Sequence, residues 1–569
     1  YLAAKTNAPY LIGPDRCYVR DPATGKPLVW DAVRGEAVPY DVPGNASLPL
    51  EGEYQAAGVA ARPAFALLRE HLVQFTPAWA ESITTVPAAT IERLAREFAH
   101  EAMVGATIVL DGKRLPYRPV AAIYFRGAQG HKNSVYNCLA IELLNQVVGA
   151  ADVPGGALGF NPVCYGHPDT GKPWYEPKPG PDGLMITGTW VAPHLPYPIA
   201  EPRHPDTMSL NGLFPLGMFG PTMASSDQEE LWSRFGLPYR PEMMLNYGAN
   251  SLMSVGNSGT VARTLERIPF IVSLDVVLTE FSEFADIVLP DASYLESLDS
   301  RPNVPFIFNH PAGLGVWSWP IKQPVVPPTA ERRPAAEVLL ELADRVGIRE
   351  ELNAATNALL RLDGPHRLAL ERRYTHEEIC DRELRTHFGL ERGLDWFKEH
   401  GVISWPKRVE EVYWRPFLDV RVPIYWEFLR HLDAKARPMA AMHGLDWDEA
   451  YYDPLPRWLP CPSHEVTDPA YDLFGFYFRD TIHTNSFTME NAWLDEAARM
   501  DPISYTIAVN MATGRRKGLH EGQEVWLESP AGRRVRGRVH LTEAVHPEGV
   551  GVGGCAGHWA KTLPVARGK

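Results

Sequence analysis

The chain has 569 residues, of which 45% are hydrophobic and 22% are charged, the composition of an ordinary globular protein. This length exceeds what one hydrophobic core usually organises, and it predicts about three or four domains. The net charge of −14 argues against nucleic-acid binding, which depends on a cationic surface. No stretch approaches the ~20 consecutive apolar residues that a membrane-spanning helix requires.

Six cysteines lie far apart in the sequence, and none forms a Cys-x-x-Cys pair. Their spacing therefore predicts neither a zinc site nor an iron–sulfur site, and no metal ligand is assigned. The first residue is not methionine, and Tyr1–Asn7 is typical of the interior of a segment. We expect the sequence to be an internal fragment. A signal peptide would precede it, so the localisation stays unknown.

The first 350 residues alternate between predicted helices and strands, which is typical of an α/β protein. Residues 85–98 carry an amphipathic helical stripe. Val120–Phe125 is predicted as a strand that leads through a glycine-bearing loop into a helix over Val135–Val148, ending at Gly149. Further elements are predicted at Met243–Tyr247, Val261–Ile268, Phe270–Leu274, Ile287–Leu289 and Glu337–Val346.

The last hundred residues change to short alternating strands and tight turns. Glu524–Glu528 and Arg533–Leu541 alternate in polarity on either side of a Ser-Pro-Ala-Gly turn, which predicts a hairpin. We therefore expect α/β domains followed by a small β-barrel. The predicted divisions are 1–160 and 161–350 for two α/β domains, 351–465 for a mixed connecting region, and 466–569 for the barrel.

Three loops follow predicted strands, the position at which α/β proteins bind nucleotides. Arg126–Asn133 has glycines that let backbone N–H groups approach a phosphate, although an ordinary strand-to-helix turn explains it equally well. Gly248–Ser251 is a weaker signal by itself. Asp275 ends the next strand, where a carboxylate can accept two N–H groups of guanine, but a lone aspartate more commonly begins a turn. Two successive strands that end in polar loops favour a dinucleotide site.

The segment Phe478–Ser486 concentrates hydroxyl, amide, imidazole and guanidinium groups within nine residues. Such a density of donors suits an anion with several oxygens, and a solvated loop is the alternative. The sequence contains no serine-hydrolase elbow, phosphate-binding loop, His-Glu-x-x-His motif or kinase signature. No catalytic residue is assigned.

These segments resemble the dimethyl-sulfoxide-reductase superfamily of molybdopterin oxidoreductases. The resemblance covers nearly the whole chain, with residues 351–465 the least clear. Its middle part is the most specific, because it is similar to the family signature G-x-N-P, D-x-x-x-T-E-T and A-D-x-V-L-P. The matching segments are Phe125–Asn133 with Leu143–Gly149 and Val153–Gly156, then Tyr247–Asn250 with Asp275–Glu280 and Ala285–Pro290, then Arg479–Ser486 with Ile507–Asn510 and Lys517–Val525.

The resemblance implies Rossmann-like parallel-sheet domains followed by a double-psi β-barrel that covers the cofactor. The implied cofactor is two molybdopterin guanine dinucleotides that chelate one molybdenum or tungsten. Around one guanosine it implies Gly248, Asn250, Asp275, Thr279 and Glu280, with Ser251 beside them. Near a pterin or its diphosphate it implies Arg126, Gly127, His131 and Asn133. From the barrel it implies Arg479, Thr481, His483, Thr484, Ser486 and His558.

Two parts of the family pattern are absent: the cysteine motif for a [4Fe–4S] cluster and the segment that carries the protein ligand to the metal. Both are expected before residue 1. Ser251 and Phe281 stand where the family usually has proline and threonine, and neither change removes a predicted hydrogen bond to the base.

The implied function is that of a catalytic subunit in anaerobic respiration of a bacterium or archaeon. It would transfer an oxygen atom or hydride equivalents to or from a small molecule. Electrons would pass through an iron–sulfur partner subunit, with a membrane anchor protein as an optional further partner. The alternatives are a non-redox hydratase or hydroxytransferase of the same superfamily, and a metal-free structural homologue in an electron-transfer complex.

Overall fold

The computed structural model describes residues 1–42, 48–158, 178–186, 241–254, 257–300, 316–413, 415–442 and 444–569, without the side chains of Arg126, residues 316–318 and Met439. These residues fold into two compact units that alternate along the chain. The first unit consists of Tyr1–Met218, Tyr294–Pro327 and Ala336–Trp458, and the second of Phe219–Ser293, Pro328–Ala335 and Leu459–Lys569. The four-part division made from the sequence stays a prediction.

The strands are short and the helices mostly span two to four turns. The strands are β1 (Leu11–Ile12), β2 (Leu28–Asp31), β3 (Glu36–Pro39), β4 (Tyr54–Ala56), β5 (Val59–Pro63), β6 (Thr107–Leu110), β7 (Lys113–Pro116), β8 (Lys178–Pro179), β9 (Met185–Ile186), β10 (Met244–Tyr247), β11 (Ile271–Asp275), β12 (Ile287–Pro290), β13 (Val316–Pro320), β14 (Val402–Pro406), β15 (Phe474–Phe478), β16 (Thr506–Asn510), β17 (Glu524–Glu528), β18 (Arg534–Thr542) and β19 (Gly549–Gly553). The α-helices are α1 (Leu2–Lys5), α2 (Ala64–Leu72), α3 (Pro77–Thr84), α4 (Ala88–Glu101), α5 (Ser134–Val148), α6 (Ser251–Ser254), α7 (Ser258–Leu265), α8 (Ala335–Val346), α9 (Arg349–Leu359), α10 (His376–Phe388), α11 (Leu394–His400), α12 (Val409–Val412), α13 (Phe428–Met442), α14 (Ala492–Ala498) and α15 (Met511–Lys517).

A parallel sheet with the strand order β10–β11–β12 lies in the second unit. Tyr247 lies opposite Leu274, and Asp275 lies opposite Pro290, so the three strands end at the same edge. Every residue of β11 is buried, because this strand is central in the sheet and α7 packs against it. The α/β arrangement predicted for residues 243–290 is confirmed.

A five-stranded sheet with the order β15–β19–β16–β18–β17 lies in the same unit and mixes parallel with antiparallel pairs. Ile507, Val539 and Val550 form its buried core. β17 and β18 pair in antiparallel register, which confirms the predicted hairpin. The C-terminal region is therefore a β structure, and its closure into a double-psi barrel stays a prediction.

The first unit combines short antiparallel ribbons with helices. The region 351–465, which the sequence left unassigned, is largely helical and contains α9 to α13. Trp319 of β13 is fully buried against Phe388 and Phe397, which joins α10 and α11 to the β13–β14 ribbon. Among the described residues, no helix is both long and apolar enough to cross a bilayer.

The prediction of a strand at Val120–Phe125 is wrong. In the described part of the chain this segment is not a strand, and Ala122 exchanges two hydrogen bonds of 2.8 Å with the Asn145 side chain. Ile123 and Phe125 are 83% and 65% exposed. An apolar run becomes a strand only where a neighbouring strand is available, which the run itself does not encode. The helix that follows is confirmed, and it ends at Gly149 with φ +78°.

We predict that Gly156→Ala destabilises the protein. A Cβ atom at Gly156 would lie 2.0 Å from the Ala150 carbonyl oxygen, a backbone atom that cannot move aside independently. Overpacking of this kind costs about 1–3 kcal/mol of the free energy of unfolding. Urea denaturation measures the change. In the matched variant Gly475→Ala the added Cβ meets open space, so we expect a change within about 0.5 kcal/mol. Equal effects in the two variants would contradict the packing argument.

Candidate functional site

The loop after β10 is fixed by its own backbone and by one side chain. Gly248 adopts φ +57°, a conformation that favours glycine. Its N–H donates to the Leu274 carbonyl oxygen at 2.9 Å, which ties the loop to β11. Two residues later, Asn250 Nδ2 donates to a carboxylate oxygen of Glu280 at 2.8 Å. The loops after β10 and β11 therefore share one edge of the sheet, as predicted.

Asp275 ends β11 at this edge and is 6% exposed. Its Oδ1 accepts a hydrogen bond of 2.8 Å from the N–H of Val276. Burial raises the pKa of Asp275, and the N–H groups of Val276 and Val277 only partly counter that shift. A buried carboxylate that is incompletely compensated gains from further donors, so the side chain suits a ligand that carries N–H groups.

Glu280 is fully buried and joins the sheet edge to the C-terminal segment. Besides Asn250, its carboxylate accepts from His558 Nδ1 at 2.9 Å, from the Trp559 N–H at 2.9 Å and from the Ala560 N–H at 3.1 Å. Burial alone would raise the pKa of Glu280, but the hydrogen bonds from Ala560 and Asn250 outweigh it and the net shift is downward. Both oxygens therefore accept from protein donors, a role that the sequence did not reveal.

Three buried polar atoms at this edge have no hydrogen-bond partner among the described residues: Asn250 Oδ1, Ser251 Oγ and His558 Nε2. Buried polar atoms in folded proteins are nearly always paired. Asn250 and His558 are each held by Glu280 through their other polar atom, which fixes the position of the open one. The donors and acceptors of a nucleotide fit this set.

The turn after Asp275 is preorganised by its own residues. Thr279 is buried, and its N–H donates to Ser282 Oγ at 3.2 Å. Phe281 is fully buried in the core beneath the sheet, together with Leu252 and Leu265. The phenylalanine that departs from the family pattern is therefore a packing residue.

In residues 479–486, several of the polar side chains form hydrogen bonds within the protein. Arg479 donates to the Thr484 carbonyl oxygen. His483 is fully buried, and its Nε2 lies 2.5 Å from the hydroxyl oxygen of Tyr505. That hydroxyl donates to Asp495 at 3.0 Å, and Tyr505 was not anticipated from the sequence. Thr481 and Thr484 are exposed, whereas Ser486 is half-buried.

A small apolar core connects Met489, which follows this segment, to the C-terminal residues. It also includes Val277, in the turn after Asp275, and Tyr505. The segments that carry Asp275, His483 and His558 therefore pack together within one unit. The buried members of this core are Met489, Ala560, Leu563 and Ala566.

The loop before α5 belongs to the first unit. Arg126 and Gly127 lie in a single turn of 3₁₀ helix, and a Cβ at Gly127 would meet open space. His131 Nδ1 accepts from the Asn133 N–H at 3.1 Å, and Asn133 is buried directly before the helix. The loop is thus ordered by its own hydrogen bonds.

Residues 115–345 match the model of the molybdopterin oxidoreductase family. The match runs from the loop before α5 through the parallel sheet to α8. This stretch of the chain is therefore similar to a molybdopterin oxidoreductase domain. The resemblance identified from the strand-end loops is therefore confirmed.

Relatives that match at low identity span almost the whole chain. A sulfite dehydrogenase subunit from Allochromatium vinosum is 27% identical over 94% of the chain and 60% of the relative. The molybdopterin-containing subunit of thiosulfate reductase from Salmonella typhimurium is 24% identical over 89% and 59%. Dimethyl sulfoxide reductase DmsA from Escherichia coli is 23% identical over 88% and 53%. The chain thus spans between half and two thirds of the length of these relatives.

The fold is similar to that of acetylene hydratase from Pelobacter acetylenicus. The TM-score is 0.55 at 18% sequence identity, and the similarity covers 86% of this chain and 59% of the hydratase chain. At this identity the comparison supports the fold alone.

We predict that Glu280→Gln lowers the free energy of unfolding by roughly 3 kcal/mol at neutral pH, because buried hydrogen bonds to a charged acceptor are lost. The folded-state pKa of Glu280 is lowered, so its stabilisation is present above the ordinary glutamate pKa and is lost as the pH falls through the folded value. The stability difference between the wild type and the variant should therefore shrink on acidification. Urea denaturation between about pH 7 and pH 3 measures it.

Glu283→Gln is the matched control, because Glu283 is exposed and accepts one backbone hydrogen bond, from the Lys561 N–H. We expect little effect on stability at any pH. A difference between the wild type and Glu280→Gln that does not change with pH would contradict the assigned role of the Glu280 charge.

Proposed function

We propose that this chain forms the cofactor-holding part of the catalytic subunit of a molybdenum or tungsten oxidoreductase. The cofactor would be two molybdopterin guanine dinucleotides that chelate one metal. The observation that carries the proposal is the edge of the parallel sheet. There Asp275 ends a buried strand, and Asn250, Ser251 and His558 hold buried polar atoms without partners among the described residues.

The proposed contacts follow from the chemistry of guanosine. The two carboxylate oxygens of Asp275 match the adjacent N–H donors on the guanine base. Asn250 Oδ1 and Ser251 Oγ can accept from the amino group or from ribose hydroxyls, and His558 Nε2 adds a further polar contact. Glu280 acts on this site through Asn250 and His558, which makes it a positioning residue.

The proposal also includes the remaining predicted binding residues. It further includes Rossmann-like parallel-sheet domains and a double-psi β-barrel in the C-terminal region. When bound, the pterin and its metal supply the redox chemistry, and the chain orients and insulates them. Gly248 and Thr279 shape the guanosine loops. The proposed pterin or diphosphate contacts are Arg126, Gly127, His131 and Asn133, and the proposed covering contacts are Arg479, Thr481, His483, Thr484 and Ser486.

The proposed enzyme also includes a partner subunit and an iron–sulfur cluster. Two of the relatives are named as subunits, which supports an assembly with an iron–sulfur electron-transfer subunit. The [4Fe–4S] cluster and the protein ligand to the metal would lie in the part of the relatives that this chain does not span. The relatives are named as a dehydrogenase and as reductases, which favours a redox reaction over hydration.

Metal analysis of the full-length protein tests the proposal. We expect about one molybdenum or tungsten atom per chain and turnover that is coupled to a redox dye. A loaded protein without dye-coupled turnover would instead support a hydratase. A protein purified from a molybdenum- and tungsten-replete host without either metal would support a structural homologue.

We predict that Asp275→Asn reduces guanine-dinucleotide retention on the order of tenfold, because a charge-assisted pair is replaced by a mismatched amide. Acid release of the guanine nucleotide from purified full-length protein, followed by chromatography, measures the loss. Asp472→Asn is the control, because Asp472 is an exposed aspartate of the same unit that pairs with Lys517. Unchanged nucleotide content in Asp275→Asn would contradict the guanine contact.

A further inference from the structure

A second cluster of potential ligands lies in the first unit, apart from the residues proposed to hold the pterin. Cys17, Glu427 and His431 place their Sγ, carboxylate oxygen and ring nitrogen within 4.8 Å of one another. Glu427 directly precedes α13 and His431 lies one turn further on, so both side chains face the same side of the helix. Cys17 comes from the opposite end of the chain, so no spacing motif could predict the cluster.

The backbone keeps the thiol beside the carboxylate. The N–H of Tyr18 donates to Glu427 Oε1 at 2.5 Å, which fixes the residue next to Cys17. The Cys17 carbonyl oxygen accepts from the Gly13 N–H at 2.9 Å, across a turn in which Arg16 has φ +68°. The position of Cys17 is therefore set by hydrogen bonds on both sides of it.

Glu427 shares one guanidinium with a second buried carboxylate. Arg20 donates to both oxygens of Asp182, at 2.5 and 3.1 Å, and to Glu427 Oε2 at 2.5 Å. The side chains of Asp182 and Glu427 are 4% and 1% exposed, so one guanidinium faces two buried carboxylates. Arg430 lies near Cys17 and pairs with Asp433, a carboxylate that Arg437 also contacts. Because Glu427 does not have a guanidinium of its own, its buried carboxylate can still stabilise a cation placed beside it.

We propose that Cys17, Glu427 and His431 bind a zinc ion, with water completing a tetrahedral site. Thiolate, imidazole and carboxylate are the ligands that zinc uses in proteins. His431 Nε2 already lies 3.3 Å from Glu427 Oε2, a separation that two ligands of one zinc ion commonly have. The most distant pair of donor atoms would need to approach by about 1 Å.

The carboxylate and the thiol can both take this role. Each carboxylate oxygen has two lone pairs, so Glu427 Oε2 can keep its bond to Arg20 and still bind a metal. Burial, Glu427 and Asp15 raise the pKa of Cys17 to about 11, so the thiol carries its proton before zinc arrives. Zinc binding would form the sulfur–metal bond and release that proton to water. The ion would then link the N-terminal segment, through Cys17, to α13.

Zinc analysis of the full-length protein tests this inference. After equilibration with Zn²⁺ and removal of free metal, we expect the wild type to retain one zinc ion per chain. Cys17→Ser and His431→Gln should each lose this ion. X-ray absorption at the zinc edge should detect a single sulfur ligand in the wild type. The matched controls are Cys138→Ser and His400→Gln, which change a half-buried cysteine and an exposed histidine outside the cluster and should leave the zinc content unchanged.

Thermal denaturation gives a second measure. Zn²⁺ should raise the melting temperature of the wild type but not that of Cys17→Ser, because only a folded site binds the ion. Failure of the wild type to retain zinc, or equal zinc content in Cys17→Ser, would overturn the proposal and leave His431 and Glu427 as an ordinary side-chain contact. Molybdenum content is measured separately, so loss of either site leaves the other conclusion standing.

Discussion

The buried carboxylate of Glu280 is the interaction on which the functional edge of the second unit depends. It accepts from Asn250 in the loop after β10 and from three groups at His558–Ala560 in the C-terminal segment. Charge-assisted hydrogen bonds of this number offset the cost of burying an ion, whereas a neutral residue at the position would leave several donors without partners. The two loops and the C-terminal segment are therefore one connected structure.

At this edge some polar atoms hold the side chains in position, and others are available to a ligand. Asn250 and His558 each give one polar atom to Glu280 and keep the other without a partner among the described residues. A side chain that is fixed at one end has few rotamers left to lose when it binds, so binding costs less conformational entropy. The parallel sheet contributes in the same way, because it brings the ends of β10 and β11 to one edge before any ligand is present.

Much of the fold and part of this edge could be predicted from the sequence, because their signals are local. The buried run before Asp275, the helix that ends at Gly149 and the C-terminal hairpin all follow from short-range patterns. The strand at Val120–Phe125 was mispredicted because pairing depends on a distant neighbour. The partners of Glu280 and the contact between Tyr505 and His483 could not be predicted for the same reason. Burial and long-range hydrogen bonds have no local sequence pattern.

The separation along the chain between Glu280 and His558 also bears on biosynthesis. A contact across 278 residues closes only after the later partner has left the ribosome. At a translation rate of about 5–20 residues per second, roughly 15 to 60 seconds separate the two. Throughout that interval the C-terminal residues that pack against Val277 are missing, so this apolar contact has not yet formed. The edge is therefore complete only once residues 558–560 have been synthesised.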